Sequence, residues 1–131
     1  MTSAQEPTYT RQHGPMEVPL RILRLEDQIG MLKEEAAWHR DDRVAKTLVK
    51  EGGLSVVLTL MHAGTALHEH RAVGPVAIQC LAGRMMLHAQ ERSIELTEGE
   101  MAALDGGVAH SVEAMVETAF LVTIAQRSAG R

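Results

Sequence analysis

The chain is predicted to fold as an all-β domain, a sandwich or barrel, on three observations. Short segments with β patterning recur at fairly even spacing from Val44 to Ala125. Glycine-bearing turns separate them: Gly52-Gly53, Gly74-Pro75, Gly83, Gly99 and Asp105-Gly106-Gly107. No long helical period lies between the strands, which argues against a parallel α/β sheet. At 131 residues the chain is one domain, long enough to bury a core without disulfide staples.

The elements follow in order. Residues 1–24 form an irregular N-terminal arm, because Pro7, Gly14, Pro15 and Pro19 interrupt a polar stretch without apolar period. His13 sits in this arm and is expected in solvent. The single domain spans 25–131, with its barrel or sandwich core at about 43–126. Leu25, Ile29 and Leu32 fall at i, i+4 and i+7, one face of a short helix. Trp38 then anchors this segment on the body of the domain. Val44–Lys50 and Leu54–Met61 make a hairpin across Gly52-Gly53. Val76–Leu81 is a short apolar strand and Met85–Ala89 another. Ile94 and Leu96 alternate with Glu95 and Thr97, as in a half-buried strand. Met101–Leu104, His110–Met115 and Ala119–Ala125 complete the series, and a polar tail runs from Gln126 to Arg131.

Composition narrows the function classes. The net charge of −4 comes with no basic stripe, which disfavours nucleic acid as a partner. No apolar run has the length of a membrane-spanning helix, and the start of the chain has no leader pattern. The single cysteine, Cys80, forms no internal disulfide and suits the reducing cytoplasm. It is expected to be a small buried hydrophobe. Eight methionines accompany only three aromatic residues, Tyr9, Trp38 and Phe120, so the interior is soft and adaptable.

His68-Glu69-His70 carries the chemistry. On an extended segment, residues i and i+2 share a face about 7 Å apart, so two imidazoles converge on one divalent ion. His110 follows behind Gly99, Gly106 and Gly107. Iron, manganese, zinc, nickel and copper all accept imidazole nitrogen, and three neutral imidazoles leave the metal its charge and open coordination positions. Among the other histidines, His39 lies with Arg40, Asp41 and Asp42 at the surface. His62 ends a strand close enough to His68 to sit at the site rim. His88 faces outward if Met85 and Leu87 face inward.

The stretch from Gly64 to His110 resembles the cupin superfamily. The first cupin motif, G-x5-H-x-H-x3/4-E-x6-G, is similar to GTALHEHRAVGPVAIQCLAG, which supplies His68, His70 and Gly83. The second, G-x5-P-x-G-x2-H-x3-N, is similar to GEMAALDGGVAHSVEA, which supplies Gly99, Gly107 and His110. Fifteen residues separate Gly83 from Gly99, an interval of compact cupins. The chain departs from the pattern at the acidic ligand, where Gly74, Pro75 and Val76 offer no carboxylate. Asp105 replaces the motif proline, Ala114 replaces the asparagine, and His62 stands where the first motif would open with glycine. Gln79 is the nearest polar candidate to the missing acid, although its parity is opposite to that of Val76.

The resemblance implies a double-stranded β-helix barrel with three histidines in its mouth, and a homodimer, for which an exposed Met86 on the outer face would be suited. It also implies two function classes. One is a metalloenzyme, similar to three-histidine cupins that oxygenate thiols or diketones, acting on a small anionic or carbonyl substrate. Its pocket wall would include Met85, Leu87, Met101 and Phe120, with Arg71 at the rim to meet a substrate carboxylate. No separate catalytic acid or base is evident. The alternative is a barrel that binds or senses a small molecule or metal without turnover.

Overall fold

The computed structural model describes residues 20–126, so His13, most of the arm and the last residues of the tail lie outside it. Among the described residues two short helices, α1 (Leu25–Lys33) and α2 (Ala36–Arg40), precede nine strands. These are β1 (Arg43–Glu51), β2 (Leu54–Met61), β3 (Ala66–His70), β4 (Val76–Ala82), β5 (Arg84–Ala89), β6 (Arg92–Thr97), β7 (Met101–Leu104), β8 (His110–Ala114) and β9 (Thr118–Ala125). They form a five-stranded sheet in the order β1-β2-β9-β4-β7 and a four-stranded sheet in the order β3-β8-β5-β6. All recorded pairings are antiparallel.

The helical period over Leu25–Leu32 is realised as α1. α2 was not anticipated, because AAWHR is too short to show a period. The β1–β2 hairpin turns on Gly52-Gly53 as expected, with Gly52 at φ +58°. Leu48 is an extra residue in β1, between the pairs Thr47–Val57 and Val49–Val56. Leu48 shares the face of Val44 by plain alternation, and the extra residue lets the following Val49 pack on the same cluster.

Two apolar layers result. Met61, Val76, Ile78, Cys80, Met85, Leu87, Leu96, Val112, Ala114 and Phe120 fill the space between the sheets. A second cluster lies on the outer side of the five-stranded sheet, where Leu32 and Trp38 cover Val44, Leu48, Leu58, Leu60 and Ala119. β2 is therefore buried on both faces: Leu58 and Leu60 point to the helices and Met61 into the barrel. This explains why Leu54–Met61 is a nearly continuous apolar run rather than an alternating one.

Phe120 is 1% exposed, and burying a side chain of that size stabilises the fold by about 1.5–3 kcal/mol. Met86 departs from expectation. It is half-buried rather than exposed, standing between Glu95 and Glu113 on the neighbouring strands. The Arg84–Glu95 ion pair lies on the same outer face, where His88 Nε2 also stands 3.7 Å from a Glu113 carboxylate oxygen.

Candidate functional site

β3 and β8 bring two of the three motif histidines together. Leu67 stands opposite Val112, and His70 stands opposite His110. Three steps along β3 thus answer two along β8. The extra residue is a bulge in which His68 and Glu69 together face Ser111. Simple alternation would put His70 on the face opposite Leu67. The bulge returns it to the face of Leu67 and Val112, which pack on the barrel core. The rings of His70 and His110 then lie 4.3 Å apart between centroids, tilted by 58°. His68 on the bulge and His70 are both exposed, and of the three only His110 is buried. Among the described residues no three His, Cys, Asp or Glu side chains are gathered closely enough to cage a metal.

The hydrogen bonds set the protonation pattern of the pair. His110 Nδ1 lies 2.9 Å from the Val108 carbonyl oxygen, and His70 Nδ1 lies 3.1 Å from that of His68. A carbonyl only accepts, so each Nδ1 is the donor and each neutral ring keeps its lone pair on Nε2. That tautomer is the one a metal ligand needs, with its other nitrogen held by a backbone carbonyl. His110 is only 3% exposed. Its Nε2 has no hydrogen-bond partner among the described residues. A buried polar atom without a partner calls for a ligand. In this respect the two residues fit a divalent ion.

The loops flanking these strands are clamped to each other. Arg71 Nη1 donates to the Gly107 carbonyl at 2.7 Å, and the Gly107 amide donates to the Ala72 carbonyl at 2.9 Å. Gly107 has φ +85°, a left-handed conformation that glycine adopts without strain. Gly106 has no room for a side chain, since a Cβ there would meet the Val73 carbonyl at 2.7 Å. The glycine frame thus holds the turn that delivers Val108 to His110. Arg71 reaches this rim, exposed, with its guanidinium spent in part on the clamp.

The missing acid has a structural reason. A Cβ on Gly74 would run into the Ala125 carbonyl, and Val76 is 4% exposed in the core. Gln79 shares the face of Leu81, which packs on the outer cluster under the helices, and so lies away from His70 and His110. His62 is also elsewhere. It stacks on Trp38 with centroids 3.5 Å apart and planes 14° from parallel, and its Nε2 lies 2.8 Å from the Trp38 carbonyl. Its neighbour Gly64 bonds to Ala114, at the opposite end of β8 from His110. His62 therefore anchors the helices instead of lining the rim.

Met85, Leu87 and Phe120 are core residues buried between the sheets. Met101 is not among them. It is 59% exposed, because Ala102 and Leu104 are the β7 residues that turn to the core. Cys80 is buried, with Sγ 3.7 Å from the Ala82 carbonyl and 3.6 Å from that of Gly83. Burial pushes its thiol above the usual range, which keeps it protonated and unreactive. His88 faces out, with Nδ1 2.8 Å from Ser93 Oγ.

A cavity of about 500 Å³ opens at the same end of the barrel. None of His68, His70 or His110 lines it, but Val108 and Gln90, neighbours of the His110 pairing, do. Sequence reasoning missed the β3 bulge and the two carbonyls that orient the rings. Neither has a side-chain signal.

No protein-family model matches the chain, and no curated protein matches it. Solved structures do. A cupin superfamily protein from Desulfitobacterium hafniense superposes with a TM-score of 0.67 at 14% identity, covering 91% of this chain and 100% of its own. Salicylate 1,2-dioxygenase from Pseudoaminobacter salicylatoxidans, solved as adducts with gentisate, has a TM-score of 0.70 at 17% identity over 79% of this chain and 32% of its own. KdgF from Halomonas sp. has a TM-score of 0.61 at 13% identity, over 68% of this chain and 83% of its own. With its two antiparallel sheets closed around one core, the chain has the cupin fold. No helix among the described residues is long and apolar enough to cross a membrane.

Proposed function

We propose that this cupin holds a divalent transition ion at the barrel mouth through His70 and His110, with His68 as third ligand, and acts on a small anionic or carbonyl molecule. The observation that carries the proposal is the buried His110 Nε2, unpartnered beside a second imidazole whose Nδ1 is likewise tied to a carbonyl. When bound, the ion would supply Lewis acidity toward an oxygen ligand. The chain's own part is to fix the rings through Val108 and His68, to exclude water with Leu67 and Val112, and to offer Arg71 at the rim. The dioxygenase among the fold neighbours supports oxygenation as the first reaction to try.

A second reading is a barrel that binds or senses without turnover. It is favoured by the exposed position of His68 and by the absence of a carboxylate at Gly74–Val76. Elemental analysis of untagged protein, before and after reconstitution with Fe(II), Mn(II) and Zn(II), tests the metal. Occupancy of about one ion per chain is expected. His110→Ala and His70→Ala should each lower affinity at least about tenfold, while His39→Ala leaves it unchanged. Uptake below about a tenth of an ion per chain after reconstitution sinks the metal reading. Oxygen uptake by the Fe(II)-loaded protein with thiols and diketones then separates turnover from binding. The same reading includes pairing of two copies, and light scattering on the eluting peak should give twice the chain mass.

A further inference from the structure

β3 carries one residue more than β8 can pair, and its two ends are pinned. At one end the Ala114 amide donates to the Thr65 carbonyl at 2.8 Å, and Thr65 Oγ1 donates to the Asp42 carbonyl at 3.2 Å. At the other end His70 stands opposite His110, and Arg71 and Ala72 are clamped to Gly107. The path from Thr65 to His70 is one residue longer than the path from Ala114 to His110. A bulge between the pins is therefore obligatory, but the pins do not fix its place.

Two places give opposite results for Leu67 and His68. In the structure His68 and Glu69 share Ser111, so Leu67 stands opposite Val112 and packs on the core while His68 is exposed. If Ala66 and Leu67 shared Glu113 instead, His68 would stand opposite Val112, on the face of His70. Leu67 would pass to the outer face of the sheet, and both pins would hold unchanged. Ala66 is already exposed there, and Leu67 is only half-buried where it is. The exchange thus uncovers part of one leucine and leaves the rest of the core as it was. Apolar burial favours Leu67 on the inner face. A divalent ion on His70 and His110 favours His68, which would add a third imidazole nitrogen. An ion shifts such an equilibrium only by the difference in what it gains in the two registers, and one further coordinate bond is that difference.

We propose, resting on the metal reading of His70 and His110, that the β3 bulge migrates from His68-Glu69 to Ala66-Leu67 when the ion binds. Leu67 is then the residue that His68 displaces to become the third ligand. It is a positioning residue, which sets metal affinity without touching the metal.

NMR of the untagged full chain, metal-free and with zinc alone added to saturation, tests this. Metal-free, cross-strand contacts should link Leu67 with Val112. With zinc they should link His68 with Val112, and the His68 Nε2 resonance should move together with those of His70 and His110. Leu67→Thr weakens the hold of the first register and should tighten zinc about fivefold in competition with a chelating dye, while Leu67→Met should stay within about twofold of the parent. His68→Ala should weaken zinc about tenfold, and in that background Leu67→Thr should bring no gain. This loss of the gain is the sign of positioning, since a purely structural effect of Leu67→Thr would persist without His68. Zinc bound with Leu67 still opposite Val112 would overturn the proposal and leave the metal reading standing. So would an unchanged affinity in Leu67→Thr, or a gain that survives His68→Ala. No zinc uptake by the parent chain would remove both.

Discussion

His110 shows how much a single residue's surroundings decide. Its ring is buried beside that of His70, one nitrogen donates to Val108, and the other is left as a lone pair without a hydrogen-bond partner among the described residues. The same residue type at His88 lies on the outer face beside Ser93 and Glu113, and at His62 it stacks on Trp38. Cys80 makes a parallel case. Its raised thiol pKa comes first from desolvation, so the folded protein holds the proton more tightly than the unfolded chain does. The stability this contributes is present below the unfolded thiol pKa and is lost as pH rises toward the folded value. Iodoacetamide at pH 8 should therefore label the native protein far more slowly than the chain in guanidinium. Urea midpoints measured from pH 7 to 10 should fall more steeply for the parent than for Cys80→Ala. Equal labelling rates in the two states would show that the thiol is not shielded.

At the scale of elements, the strands were legible in the residues themselves. Val76–Leu81, Met85–Ala89 and Met101–Leu104 were placed to within a residue of β4, β5 and β7, because period-two alternation and bounding glycines are local signals. What local signals do not contain is register. The β3 bulge depends on which residues of β8 lie opposite, and it breaks the equivalence of His68 and His70 that simple alternation implies.

Turns are tested more easily. Gly83 has φ +95°, and a Cβ there would lie 2.7 Å from Thr118 Oγ1 and 2.9 Å from Thr118 Cα. Gly83→Ala should cost about 2–4 kcal/mol in urea unfolding, the sum of left-handed strain and displaced neighbours. Glu100 accepts from the Thr97 amide at 2.9 Å and from its hydroxyl at 3.1 Å, bonds that hold its carboxyl below the usual range. Their contribution is present above the unfolded carboxylate pKa and is lost as pH falls through the lower folded value. Melting temperatures from pH 7 down to 3 should thus fall less steeply for Glu100→Gln than for the parent, whatever the offset at neutral pH.

For the whole molecule, two apolar layers share the five-stranded sheet. Phe120 belongs to the inner layer and the next residue back, Ala119, to the outer one beneath Leu32 and Trp38. A perturbation of either layer is therefore expected to lower one cooperative transition. Phe120→Ala should cost about 3–5 kcal/mol and shift the unfolding curves by far-ultraviolet dichroism and by Trp38 fluorescence together. Separate transitions by the two probes would mean that the helices unfold apart from the barrel.

The chain by itself determined the strand positions, the turns and the histidine–glycine frame, because alternation, backbone sterics and motif spacing are properties of short stretches. It also determined that no carboxylate stands near His70 at Gly74–Val76. Only the tertiary structure decided which side chains meet. The bulge set His70 beside His110 and His68 apart from it, with both β3 histidines exposed. Packing against the helices took His62 away to Trp38 and placed Gln79 on the outer face. Residues of the three strands β4, β7 and β9, distant in sequence, came to line one cavity. The physical reason is common to all three: register and closure are set by pairing between distant strands, and a one-residue change in that pairing redirects every side chain beyond it.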